Sequence, residues 1–266
     1  MIDVIEKLAE AGCHDIMTTA RADSDVITAF KGFTPGSFDF FKKLRKNNRR
    51  EWFAKHRGEY EANLLAPMKG LVFAAEEECY RAGLPLLANR RNPVNRIYRD
   101  IRFSHDKSPY FTFIGALLTR DGTNKSPGVI YLHFSDNEAF LAAGFWQPDK
   151  ALMQAWRARI VEKPDEFLEM VTELKRGGLS LSQGHHSLRG MPRGYSHLAD
   201  SPLAGHLKLT SYVVSRPVTA KHPSSRTLPK LVGKFAVAAG PLLKFGWSIV
   251  DRHGKHRPQE KMFDEF

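Results

Sequence analysis

Residues 96 to 111, RIYRDIRFSHDKSPYF, concentrate side chains that handle charge. Arg96, Arg99, Arg102 and Lys107 stand among Asp100 and Asp106, with His105 beside them and Tyr98, Phe103, Tyr110 and Phe111 threaded between. An arginine fork grips carboxylate or phosphate through two parallel hydrogen bonds, and an ion taken out of water persists only if it is paired or used by a ligand. At strand period, Arg96, Tyr98, Asp100, Arg102, Ser104 and Asp106 share one face, and Ile97, Arg99, Ile101, Phe103 and His105 share the other. Four cations against two acids leave positive charge over. The spacing therefore predicts a site for an anionic group, phosphate or carboxylate, held by Arg96, Arg99, Arg102 and Lys107 and lined by Tyr110. In it Asp106 and His105 move protons and Asp100 orients an arginine. The competing expectation is an internal ladder, Asp100 with Arg102 or Arg99 and Asp106 with Lys107, that only braces the fold.

A second basic element precedes it. Between Lys42 and Arg57 there are eight Lys or Arg residues and one acid, Glu51, enough to cover a phosphate backbone, so a nucleic-acid-binding module is the alternative function. A structural or protein-interaction domain with internally paired charges is the third. The histidines His185, His186, His197, His206 and His222 lie at irregular spacing without cysteines or a clear carboxylate partner, and no metal site is expected from them. There is no GxGxxG, HExxH or GxSxG, and Gly233-Lys234 lacks the rest of a phosphate-binding P-loop. Pro164-Asp165 with Glu173-Leu174-Lys175 imitates a metal-dependent nuclease signature, but both halves fall in a helical pattern. No cofactor is specified.

These residues must be positioned by a chain of 266 residues with net charge +11, a balance that favours anionic partners without naming one. No apolar run reaches the roughly 18 to 20 residues of a membrane helix, and the start has neither a basic nor an apolar leader segment, so the expected location is cytoplasmic with no membrane partner. Cys13 and Cys79 are expected as small buried hydrophobes. Residues 1 to 30 read as an N-terminal extension with one short amphipathic helix, 31 to 254 as one domain, and 255 to 266 as a tail.

Within the domain, helical period begins after Thr34-Pro35 and runs to about 46. Asn47-Asn48 ends it, and Asn48 with Glu51 has the spacing of a capping box opening a second helix. A third starts at Pro67 and stops at Gly83. Strand patterns follow over 97 to 103, 129 to 134 and 139 to 146, then helical period from 151 broken near Pro164 and ended by Gly177-Gly178. A loop-rich stretch with one strand near LKLTSYVV precedes a last helix from about 228. The fold class this predicts is α+β, a helical N-terminal part and a central antiparallel sheet covered by helices.

The run Arg96 to Ser104 followed by Asp106-Lys107-Ser108-Pro109-Tyr110 resembles the signature of the family called domain of unknown function 2461. Asn47-Asn48, Glu51-Trp52-Phe53, Ala143-Gly144-Phe145 and Pro192-Arg193-Gly194-Tyr195 agree with it, over roughly residues 30 to 250. The resemblance implies a single α+β domain with the signature and the PRGY loop as site walls, which adds Arg193 as a cation closing from that loop. Phe111 stands where the family tends to carry lysine.

Overall fold

In a computed structural model the described residues are 30–34, 36–102, 105–182, 187–219 and 223–253. The predicted N-terminal helix, Phe103, Ser104, His185, His186, His222 and the tail lie outside them. Helix α1 spans Asp39–Lys46 and α2 Arg50–Tyr60. α2 does not end at Tyr60. It passes through a π-helical turn, Glu61–Leu65, into α3, Ala66–Arg81, so the helix expected to begin at Pro67 continues one already running.

Strands β1 (Leu87–Ala88), β2 (Phe113–Thr119), β3 (Val129–Ser135), β4 (Ala139–Phe145) and, late in the chain, β5 (Tyr212–Pro217) pair antiparallel in the order β1-β2-β3-β4-β5. Helices α4 (Lys150–Glu162) and α5 (Pro164–Arg176), a four-residue turn α6 (Ala204–Leu207) and the long α7 (Leu228–His253) complete the fold. The break comes at Pro164, the helix ends just before Gly177-Gly178, and the PD…ELK imitation falls on helix, as the pattern predicts.

The sheet is amphipathic in the strand sense. Ile114, Ala116, Leu118, Ile130, Leu132, Phe134, Leu141 and Ala143 alternate onto one face and join a cluster that runs from Phe33 to Ile249. Against this face lie α3 over β2 and α7 over β4, with α4 and α5 behind α7. The other face carries a smaller cluster, Leu117, Val129 and Tyr131. Gly144 is needed where β4 meets β5: its φ is +131°, and a Cβ there would lie 2.1 Å from the Tyr212 carbonyl oxygen. No helix among the described residues is long and apolar enough to cross a membrane.

β2 has no counterpart in the periodicity. FIGALLT is apolar up to its last residue, Thr119, because both of its faces are covered, and Gly115 sits inside it because the Tyr131 hydroxyl would be 2.7 Å from a Cβ. Conversely, the strand predicted over 97 to 103 is not one. The chain pairs only at Tyr98↔Tyr110, flanked by the Arg99 amide on the Pro109 carbonyl (2.9 Å) and the Phe111 amide on the Ile97 carbonyl (2.8 Å). The described residues between Arg99 and Pro109 belong to the loop of this hairpin. Pairing stops because side chains take the ladder's place. Asp106 accepts the Ser108 amide (2.9 Å), Asp100 accepts the Arg102 amide (3.2 Å), and Lys107 Nζ donates to the Ile101 carbonyl (2.9 Å). The alternation itself survives in the neck: Ile97 is buried while Arg96 and Tyr98 are exposed.

Candidate functional site

The signature loop is braced from within. Arg102 grips Asp100 with both arms of its fork, Nε to Oδ1 at 3.0 Å and Nη2 to Oδ2 at 2.6 Å, and Arg99 pairs with Asp106 while its Nη1 also reaches the Ser108 carbonyl (3.3 Å). The Arg102 hydrogen bonds, before any other cause, hold the Asp100 carboxyl at about 2. The Ser108 backbone and hydroxyl, then Arg99, hold Asp106 at about 2. Both are ionised at neutral pH. Neither can deliver a proton as an acid, and each is a weak base, so the proton-moving role expected of Asp106 has no support in its surroundings. His105 is exposed on the same loop. The ladder that was the competing expectation is present, with Arg99 rather than Lys107 on Asp106.

Below the loop the neck rests on an aromatic stack. Tyr110 lies on Phe53 at 4.2 Å between ring centroids, with Tyr98 against Tyr110 at 5.2 Å. Tyr110 is buried, which raises its phenol pKa. Asn48 ties this stack to the helices. Its Oδ1 accepts the Tyr110 amide (3.1 Å) and its Nδ2 donates to the Tyr110 carbonyl (2.9 Å), the pattern of a strand neighbour. It therefore does not cap α2, whose N-cap position is Arg49 with no side-chain bond to the helix.

Between the neck and the helices opens a cleft of about 660 Å³. One wall is helical: Phe53, Arg57, Tyr60, Glu61, Leu65 and Lys69. In a plain α-helix every fourth residue drifts about 40° round the axis, so Arg57, Glu61, Leu65 and Lys69 would fan away from one another. The wider π-helical turn between Glu61 and Leu65 takes back part of that drift and keeps them facing one cleft. The opposite wall is the neck segment with Arg91, Asn92, Asn95, Arg96, Tyr98 and Asp100, and Phe111, Phe113 and Asn124 close the end. Asn95 is fixed through its amide on the Gly115 carbonyl (2.9 Å), and its Nδ2 has no hydrogen-bond partner among the described residues. Burial pushes the Tyr60 hydroxyl up to about 12, leaving it a neutral donor.

Four cations and two carboxylates line this cleft. Arg57 is committed to Glu61 (2.7 Å) and Asp100 to Arg102. Lys69, Arg91 and Arg96 form no ion pair among the described residues. Of the catalytic and ligand-binding residues expected from the sequence, Arg96 and Asp100 line the cleft, together with the aromatics Tyr98 and Phe111 of the same segment. Arg99, Arg102, Lys107, Asp106, His105 and Tyr110 belong to the loop and neck beside it. Arg193 sits exposed in a turn closed by the Tyr195 amide on the Pro192 carbonyl (3.1 Å), and it is not among the cleft residues. Lys69, Arg91, Asn95 and Phe113 escape a sequence reading because they are scattered over three elements. The available signals were a lone lysine in an apolar helix and Arg90-Arg91 ahead of Asn92-Pro93.

Four of the eight cations of the basic hairpin are in ion pairs, Arg57 among them. Lys42 pairs with Asp39 (2.8 Å), Lys43 with Glu59 (2.9 Å) and Arg45 with Asp136 through both arms (2.9 and 2.6 Å). Among the described residues no group of three His, Cys, Asp or Glu could hold a metal ion, and Cys79 is buried with its thiol pushed up to about 12.

A family model described as a conserved hypothetical protein (DUF2461) matches residues 36–245. No curated protein and no solved structure matches the chain.

Proposed function

We propose, for a chain that belongs to the DUF2461 family of conserved hypothetical proteins, that the cleft between α2–α3 and the hairpin neck binds an anionic group, a phosphate or a carboxylate. The observation that carries this reading is that Lys69, Arg91 and Arg96 line one concavity and form no ion pair among the described residues, with Asp100, which feels the Arg96 charge, already held by Arg102. Three like charges converging on one space repel one another, and an anion placed among them relieves that repulsion. The loop residues Arg99, Arg102, Asp100 and Asp106 then serve as the frame that holds Arg96 and Tyr98 in the wall. Lys42, Lys43 and Arg45 are ion-paired within the protein, which takes up part of the 42–57 hairpin's charge and favours a small anion over a long polyanion.

The test is calorimetric titration of the full chain, in a phosphate-free, low-salt buffer, with inorganic phosphate, sulfate and succinate. At least one should bind, and Arg96→Ala should weaken it roughly 10-fold or more, the usual loss of one charge-assisted hydrogen bond of about 1.5–3 kcal/mol. Absence of binding at millimolar anion, or equal binding by Arg96→Ala and Arg91→Ala, would sink the proposal.

A further inference from the structure

We infer that the anion is the phosphate of a nucleoside monophosphate, whose base lies against the aromatic end of the cleft; this rests on the anion reading above and narrows it. Charge comes first. Four cations less two carboxylates leave the lining with two positive charges, and a phosphate monoester carries about −1.5 to −2 at neutral pH. A bare carboxylate leaves that surplus half answered.

Shape comes second. The volume of about 660 Å³ exceeds what inorganic phosphate fills and lies in the range of roughly 300–1,000 Å³ usual for small-ligand sites. The neck wall and the end of the cleft also offer ring surface. Tyr98 is 50% exposed, although a tyrosine beside two packed rings could have been covered, and Phe113 is half-buried. Any base has a π-face to lay on such rings.

Hydrogen bonding comes third. The Asn95 Nδ2 is shut off from solvent without a partner among the described residues, a costly state for a donor, and asparagine offers the donor and acceptor pair that reads a base edge. A plain phosphate or a sugar phosphate has no planar edge to bring to it. A nucleic-acid strand fits less well, because Glu61 and Asp100 line the same cleft and would repel the neighbouring phosphates.

The experiment is titration of the full chain with AMP, ribose 5-phosphate, inorganic phosphate and a single-stranded oligonucleotide at low and raised salt. AMP should bind about tenfold or more tighter than ribose 5-phosphate, the step that about 1.4 kcal/mol of stacking gives. Tyr98→Ala should remove that margin while leaving inorganic phosphate within about twofold. Asn95→Ala, a second variant away from the stack, should do the same. If phosphate binds but AMP is no tighter than ribose 5-phosphate, the nucleotide is refuted and the anion site stands. If no anion binds, both fall. An oligonucleotide that outcompetes AMP with steep salt dependence replaces the monomer with a strand and also overturns the inference.

Discussion

Replacement of Asn48 separates two accounts of the same residue. As an N-cap it would lose about 1 kcal/mol on change to alanine and almost nothing on change to Asp or Ser, which cap equally well. As the clamp described above it satisfies both backbone groups of Tyr110, at 3.1 and 2.9 Å. Alanine leaves a partly buried N–H and C=O without partners, at about 1–3 kcal/mol each when water cannot reach them, so a loss of about 2–4 kcal/mol is expected. Aspartate keeps the acceptor for the Tyr110 amide but turns a lone pair towards the Tyr110 carbonyl, so Asn48→Asp should fare no better than Asn48→Ala. At about 2–4 °C per kcal/mol for a chain of this size, both variants should melt roughly 5–15 °C lower. Urea unfolding followed by circular dichroism gives the free energies, and thermal melts the shifts. If Asn48→Asp stays within about 0.5 kcal/mol of the natural protein while Asn48→Ala loses about 1, the clamp is not what Asn48 contributes.

His133 is buried between Phe113 and Phe140, each ring centroid 4.6 Å away, and burial lowers its pKa to about 4. Unfolded, it would titrate near 6.5, so between pH 6.5 and 4 the unfolded chain binds the extra proton and stability falls with pH across that window, by about 3 kcal/mol in all. Glu138, 3.4 Å from Nε2 but 58% exposed, is too solvated to cancel this. Urea unfolding at several pH values should show the slope, and His133→Gln should flatten it; equal slopes in both would refute the assignment. Gly144→Ala should destabilise by about 1–3 kcal/mol or more, because the methyl must displace backbone of β5 at a φ that alanine disfavours. A melt unchanged within about 1 °C would show that the strands slide apart freely.

The elements with strong period were legible. The amphipathic helices, the Pro164 break and the pair β3–β4 depend on neighbours within a few residues, and those are visible in any window of sequence. Asn48 was not, because a side-chain amide looks the same whether it caps its own helix or copies a peptide unit for Tyr110, sixty-two residues on. The signature loop misled for a related reason: its charges alternate at strand spacing, yet Asp100 and Asp106 turn back on nearby amides and end the ladder that spacing implies. β2 lacked alternation because it is covered on both faces. The cleft's cations were invisible as a set, since Lys69, Arg91 and Arg96 meet only through the packing of α3 beside the neck.

The π-helical turn at Glu61–Leu65 makes the cleft wall a matter of counting. Removing one residue there would let α2 and α3 fuse into an unbroken α-helix, and Arg57 and Lys69, then eleven steps of about 100° apart, would still lie within about 20° of one another. Such a deletion would leave the wall in phase, whereas tightening the turn to plain α geometry at its present length would swing the two side chains to about 120° apart. The extra residue and the wider turn thus offset one another, and the phase is lost only when one changes without the other, as when a residue is deleted elsewhere between Arg57 and Lys69 with the wide turn kept.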